Sequence, residues 1–259
     1  IAHGLTQLGI DAIPLSSAGR NFVDQYKAHL ISLGINIDFI AVADDVANCA
    51  SCMMINDVHG NQVIGFYPGP DNPRRQSPET LPFIDNIALT ILGPEEPELT
   101  LRQGRILFEH NVPLMVDPGQ VISAFSRDQI RELLKLARYL VINQHEFEVL
   151  KTNGGLTDEE VFDQVPEVVL TRGDKGVAIY SREGICHVDA VPDVKVGEVT
   201  GCGDAFRAGY AYGIVNNLNL TERGQAGCIM AARNLENPET QRYRITATEL
   251  AILRTTIYG

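Results

Sequence analysis

A chain of 259 residues, 44% of them hydrophobic, is long enough to bury a substantial core as one large α/β domain or two small ones. Its formal net charge of −12, from 21 basic against 33 acidic residues, argues against an extended nucleic-acid surface, which needs clustered Lys and Arg to displace counterions. No apolar run approaches the roughly 20 residues that cross a bilayer, so no membrane partner is expected, and an odd count of five cysteines predicts reduced thiols in a cytoplasmic protein.

The chain opens on Ile1 inside a helical pattern, with Ile1, Leu5 and Leu8 on one face and Gly9 closing it; a preceding segment is expected. Ile10 to Ala18 reads as a buried strand, and Phe22, Tyr26, Leu30 and Leu33 mark an amphipathic helix ended by Gly34. From Ile35 to Tyr67 the pattern turns to β segments, with Cys49 to Asn56 and Gln62 to Tyr67 paired across a turn at Asp57 to Asn61. Cys49-Ala50-Ser51-Cys52 has a metal or redox spacing, but lacks a second C-x-x-C or a His pair, so small buried residues are the plainer account.

After a turn-rich connector at Gly69 to Arg75, strands and helices alternate. The pattern predicts a strand at Ile87 to Leu92, a helix near Glu98 to His110 and a strand at Pro113 to Asp117. A helix at Asp128 to Arg138 and a strand at Tyr139 to Ile142 follow. Thr157 to Glu160 has the spacing of a capping box, Glu167 to Thr171 reads as a strand, and Val177 to Tyr180 with Ile185 to Val188 as a hairpin. Three helices begin near Cys202, Thr221 and Thr246, the last with Glu249 as a capping partner.

Such alternation predicts a parallel sheet covered by helices, in which ligands bind beyond the carboxyl ends of the strands. Residues just after strands are therefore the candidates. Gly201-Cys202-Gly203-Asp204 puts two glycines and a carboxylate where a loop becomes a helix, which suits either a simple helix start or a phosphate site with Asp204 as proton acceptor. Asn143 and Glu146 suit either an N-cap or a hydrated Mg²⁺. Thr171 to Gly176 reads as an ordinary turn or as backbone approaching a nucleotide, with Arg172 near phosphate. Asp117-Pro118-Gly119-Gln120 is explained equally by a tight turn or a ligand-facing edge, and His145 is given no role.

In order and approximate spacing, Asn143-x-x-Glu146, Thr171-Arg172-Gly173-x-x-Gly176 and Thr200-Gly201-Cys202-Gly203-Asp204 resemble the PfkB carbohydrate kinase family of the ribokinase-like superfamily. Asp117 to Gln120, Gly201 to Gly209 and Glu236 to Tyr243 look most like its bacterial adenosine-kinase-like members. The resemblance implies a three-layer α/β/α core with a mainly parallel central sheet and a small β lid. The chain would form a single, N-terminally incomplete domain over 1–259, with a lid contribution within 35–68. It implies ATP as donor and Mg²⁺ held by Glu146 and Asn143, mostly through water. Asp204 would be the base and Gly201, Cys202 and Gly203 the anion hole, while Asn143, Thr171, Arg172, Gly173, Gly176 and Asn234 would line the nucleotide site.

The acceptor implied is a primary hydroxyl of adenosine or a related nucleoside, with a sugar such as ribose or fructose as the alternative and a non-catalytic nucleotide-binding protein of the same fold as a third reading. A monovalent cation such as K⁺ and a homodimer stay open. The family's Asp-Pro before Thr-Gly is replaced here by Glu198-Val199, and its acceptor-binding Asp and Gly-Gly element would lie upstream of Ile1.

Overall fold

The computed structural model of the protein describes residues 1–56, 62–70 and 77–259. It opens with α1 (Ala2–Gln7), closed by Gly9 in a left-handed conformation at φ 79°, as the sequence predicts. The rest divides into two compact units, the smaller spanning Asp11–Thr80 and the larger Leu81–Gly259 with most of α1.

In the smaller unit, β1 (Ser16–Gly19) pairs in parallel with β2 (Ile40–Ala43). The strand expected from Ile10 forms only from Ser16, because its leading residues have no neighbouring strand to pair with among the described residues. The expected single helix is two short ones, α2 (Phe22–Gln25) and α3 (Lys27–Ser32), broken at Tyr26. The hairpin is present as β3 (Ser51–Asn56) antiparallel to β4 (Gln62–Tyr67), while its turn at Asp57 to Asn61 lies outside the described residues. Cys52 is exposed on β3, contrary to the burial expected of it.

In the larger unit the predicted alternation appears in full. β5 (Thr90–Leu92), α4 (Pro97–Glu109), β6 (Leu114–Val116), α5 (Arg127–Leu136), β7 (Tyr139–Asn143), α6 (Gln144–Gly154), α7 (Asp158–Gln164) and β8 (Glu167–Thr171) follow one another. β9 (Val177–Ser181) and β10 (Gly184–Val188) form the second hairpin, and α8 (Cys202–Val215), α9 (Leu220–Leu235) and α10 (Ala247–Tyr258) complete the chain. The strands form one sheet in the order β10-β9-β8-β7-β6-β5, parallel from β5 to β8 and antiparallel at β9 and β10. β6 is apolar and buried throughout, and β7 and β8 are buried up to their last residues, Asn143 and Thr171, with apolar runs at their centres, as strands covered on both faces are. The helices pack in two groups, α4 to α7 and α8 to α10, and no described helix is long and apolar enough to cross a membrane.

α8 and α9 lie against each other with backbone in near contact. A Cβ built on Gly209 would sit 2.4 Å from the carbonyl oxygen of Ala226, which is main chain and cannot swing away. Gly209→Val should therefore force the two helices apart and cost about 1–3 kcal/mol, read as a lowered urea midpoint; an unchanged midpoint would mean the helices do not pack this closely.

Candidate functional site

The sheet register brings the predicted polar residues to one edge of the larger unit. Asn143 is the last residue of β7 and pairs directly with Thr171, the last residue of β8. Asp117 follows β6, the next strand, and its N–H donates to the Leu92 carbonyl at 2.9 Å. These residues stand at the carboxyl ends of three adjacent parallel strands, where loops of an α/β sheet bind ligands.

Asn143 is also the N-cap of α6. Its Oδ1 accepts from the Glu146 N–H at 2.9 Å, and Glu146 Oε2 accepts from the Asn143 N–H at 3.1 Å, a complete capping box. The plainer of the two readings of this pair is thus present, and it leaves the Asn143 amide nitrogen and the second Glu146 oxygen outside the box. At the end of β8, Gly173 and Gly176 both have positive φ, 60° and 76°, and the Arg172 N–H closes the turn on the Gly176 carbonyl at 2.8 Å. The Arg172 guanidinium reaches His187 Nδ1 at 3.2 Å across to β10.

α8 starts differently from the other long helices. Its N-cap is Gly201 at φ 82°, a left-handed conformation without steric cost only for glycine, and no side chain caps the helix. The Cys202 N–H turns back to the Val199 carbonyl at 3.2 Å. Among the described residues, the N–H groups of Gly203 and Asp204 have no acceptor. Of the expected trio Gly201, Cys202 and Gly203, the middle N–H is engaged in the turn; the first-turn pair without an acceptor is Gly203 with Asp204, and the Gly201 N–H before them also has none among the described residues. Unpaired amides at the positive end of a helix dipole can receive an anion. Both residues are exposed, whereas Ala205 to Tyr210 behind them are buried.

Two side chains hold the loop before α8. Glu198 Oε1 accepts from both the Thr200 N–H and the Thr200 hydroxyl at 2.8 Å, and these bonds hold its carboxyl below the usual range. The residue that replaces the family's Asp thus closes the turn locally. Asn234, expected to border the nucleotide, is buried, and its amide donates to the Thr200 carbonyl at 2.9 Å and meets Cys202 Sγ at 3.4 Å. That arrangement braces the loop. The Cys202 thiol is pushed up by burial.

One pairing was not legible in the sequence. Arg207, on the buried face of α8, donates from Nη2 to Asp117 Oδ1 at 2.5 Å, linking the end of β6 to the first turns of α8. The available signal was a lone cation among Ala205, Ala208 and Ala211, since a buried guanidinium requires an acidic partner. Burial pushes the Asp117 carboxyl up to about 6, outweighing Arg207, and the charges of Glu146 and Asp204 push the same way. Asp117 thus senses two other carboxylates at this edge, and no described group of three or more His, Cys, Asp or Glu forms a metal cage. The donor set fits Mg²⁺ all the same, because that ion keeps most of its waters and takes one or two carboxylates beside phosphate oxygens. A surface depression lined by Cys186, Thr221, Arg254 and Tyr258 shares no residue with this edge.

Comparison with known proteins follows the same lines. Residues 1–246 match the pfkB family carbohydrate kinases. A nucleoside kinase of Methanocaldococcus jannaschii is 25% identical over 232 residues, 89% of this chain and 75% of the relative. The structure of Burkholderia thailandensis nucleoside kinase in complex with inosine superposes with a TM-score of 0.91 at 28% identity, covering 100% of this chain and 86% of that one. Arabidopsis thaliana ribokinase, complexed with ribose and ATP, gives 0.80 at 17% identity over 98% and 85% of the two chains, a likeness of fold.

Because the folded pKa of Asp117 lies above its ordinary value of 3.8, its contribution to stability is fully present below that value and lost as pH rises through about 6. Unfolding free energies of the ligand-free protein should show this decline across that window. Asp117→Asn should remove that component, and an identical pH slope in the variant would contradict the assignment.

Proposed function

The chain belongs to the pfkB family of carbohydrate kinases and is a sugar or nucleoside kinase, a phosphotransferase acting on a hydroxyl group; we propose that its acceptor is the primary hydroxyl of a nucleoside, adenosine or a close relative, and its donor ATP. The observation that carries the chemical part is the start of α8: two amides without acceptors beside the exposed carboxylate of Asp204. A carboxylate next to an anion site is repulsive unless it takes up a proton, which is the task of the base in phosphoryl transfer to an alcohol. What favours a nucleoside over a free sugar is that relatives matching 89% and 100% of the chain are nucleoside kinases.

In this reading Asp204 accepts the proton of the attacking hydroxyl. The N–H groups of Gly203 and Asp204, with Gly201 shaping the turn, hold the oxygens of the transferred group, a contact worth about 3 kcal/mol per donor in comparable oxyanion sites. Thr171, Gly173 and Gly176 present backbone to the nucleotide, and Arg172 supplies a cation near it. Asn234 acts by fixing the Thr200 to Cys202 backbone. Glu146 and Asn143 would hold Mg²⁺ through water, where the ion neutralises phosphate charge. The β3–β4 hairpin is the lid contribution, a means of excluding water as a competing acceptor, and both units form one kinase domain. The free cysteines support a cytoplasmic location.

Asp204→Asn keeps the shape and removes the base, so transfer should fall about 10²–10⁴-fold with ATP binding largely kept; near-normal turnover would contradict the role. Coupled ADP detection over adenosine, inosine, ribose and fructose should show nucleosides turned over first. Inert nucleosides beside an active sugar would overturn the acceptor, and ATP binding with no ADP release from any of the four would favour the non-catalytic reading.

A further inference from the structure

Arg207 is placed against the general rule for helices. A cation whose side chain reaches back toward a helix N-terminus opposes the dipole, and side chains in a helix do lean that way. Its guanidinium is nonetheless held there. Nη2 is fixed by Asp117, and Nη1 occupies the space beside Gly203, where an added Cβ would stand 2.6 Å from it. The third nitrogen, Nε, is buried with no hydrogen-bond partner among the described residues. The arginine is 9% exposed and the aspartate 2%, so the charge is largely removed from solvent while one of its donors lacks a partner among the described residues. Buried ion pairs are weak sources of stability, and apolar replacements of similar volume often serve as well. A local rule broken without a stability gain is expected where a site does chemistry.

We propose that Arg207 is a positioning residue for phosphoryl transfer: clamped by Asp117, its guanidinium backs the Gly203 turn, keeps the Gly203 and Asp204 amides aimed at the transferred group, and adds a fixed positive charge behind them. The proposal rests on the anion-site reading of α8. It assigns Asp117 the role of clamp and accounts for the close approach of the guanidinium to Gly203, where a side chain would displace it. No bond to the phosphate is assigned to Arg207: Nε is buried, Nη2 is engaged by Asp117, and Nη1 lies against Gly203.

The test measures kcat and KM for ATP and for the acceptor, on the whole chain with its best acceptor, well below each variant's melting midpoint. Arg207→Met removes the charge and the support behind the Gly203 turn and should lower kcat about 10²-fold, the effect of one amide donor no longer meeting the transferred group, with both KM values within a few fold. Arg207→Lys keeps the charge without the fork and should recover part of that loss. The double variant Asp117→Leu with Arg207→Met leaves no unpaired buried charge, so it should fold even where the single variant does not, and should show the same kcat deficit. A folded Arg207→Met or double variant with wild-type kcat, altered only in melting temperature, would overturn the proposal and make the pair structural. Asp204→Asn, run alongside, separates the two levels: if it too retains turnover, the reading of α8 has failed, whereas its loss beside a fully active Arg207→Met defeats only the role given to Arg207.

Discussion

A helix buried along its body and open at its first turn is the constraint on which the site depends. Every α-helix leaves N-terminal amides without intrahelical partners. α4, α5, α6, α7, α9 and α10 answer this with a side-chain cap. α8 has none, and the residues before it are arranged to keep it so. Gly201 enters from a left-handed conformation, Glu198 turns its carboxylate onto Thr200, and Asn234 holds the Thr200 carbonyl. In the proposed reading, an anion takes the place of the cap.

The opening can be kept in place only because the rest of α8 is fixed. Glu167, the first residue of β8, is buried and accepts from the Tyr210 hydroxyl at 2.6 Å and from Arg223 at 3.0 Å. One carboxylate thus ties α8 and α9 to the sheet, with all its partners charged or strongly polar, the condition under which a buried charge is tolerated. Burial raises both the Glu167 carboxyl and the Tyr210 hydroxyl above their ordinary values. At the other end Asp117 and Arg207 make the second tie, from β6. Between them Gly209 lets α9 approach to main-chain contact. A helix held at two points and packed along its length presents its amides with little freedom, which is how preorganised donors gain their strength.

Much of this was readable in the chain because it is written locally. Thr157 with Glu160, Thr246 with Glu249 and Asn143 with Glu146 are separated by three residues, so the capping boxes follow from spacing alone. Buried apolar runs gave β7 and β8 nearly to the residue. What escaped depends on residues far apart. Arg207 and Asp117 lie 90 positions apart, and nothing in either neighbourhood names the other. Asn234 was placed near the site but its partner, the Thr200 carbonyl, is main chain and carries no sequence signal. The long strand expected from Ile10 began late because apolar character alone does not supply a pairing neighbour.

The central claim is that the first turn of α8 grips the transferring phosphate, and the amide groups themselves report it. Backbone ¹H–¹⁵N spectra recorded while a non-hydrolysable ATP analogue is added with Mg²⁺ should show large shifts at Gly203 and Asp204, with slowed exchange of both amides. Shifts confined to other regions, with those two amides unmoved at saturation, would contradict the account.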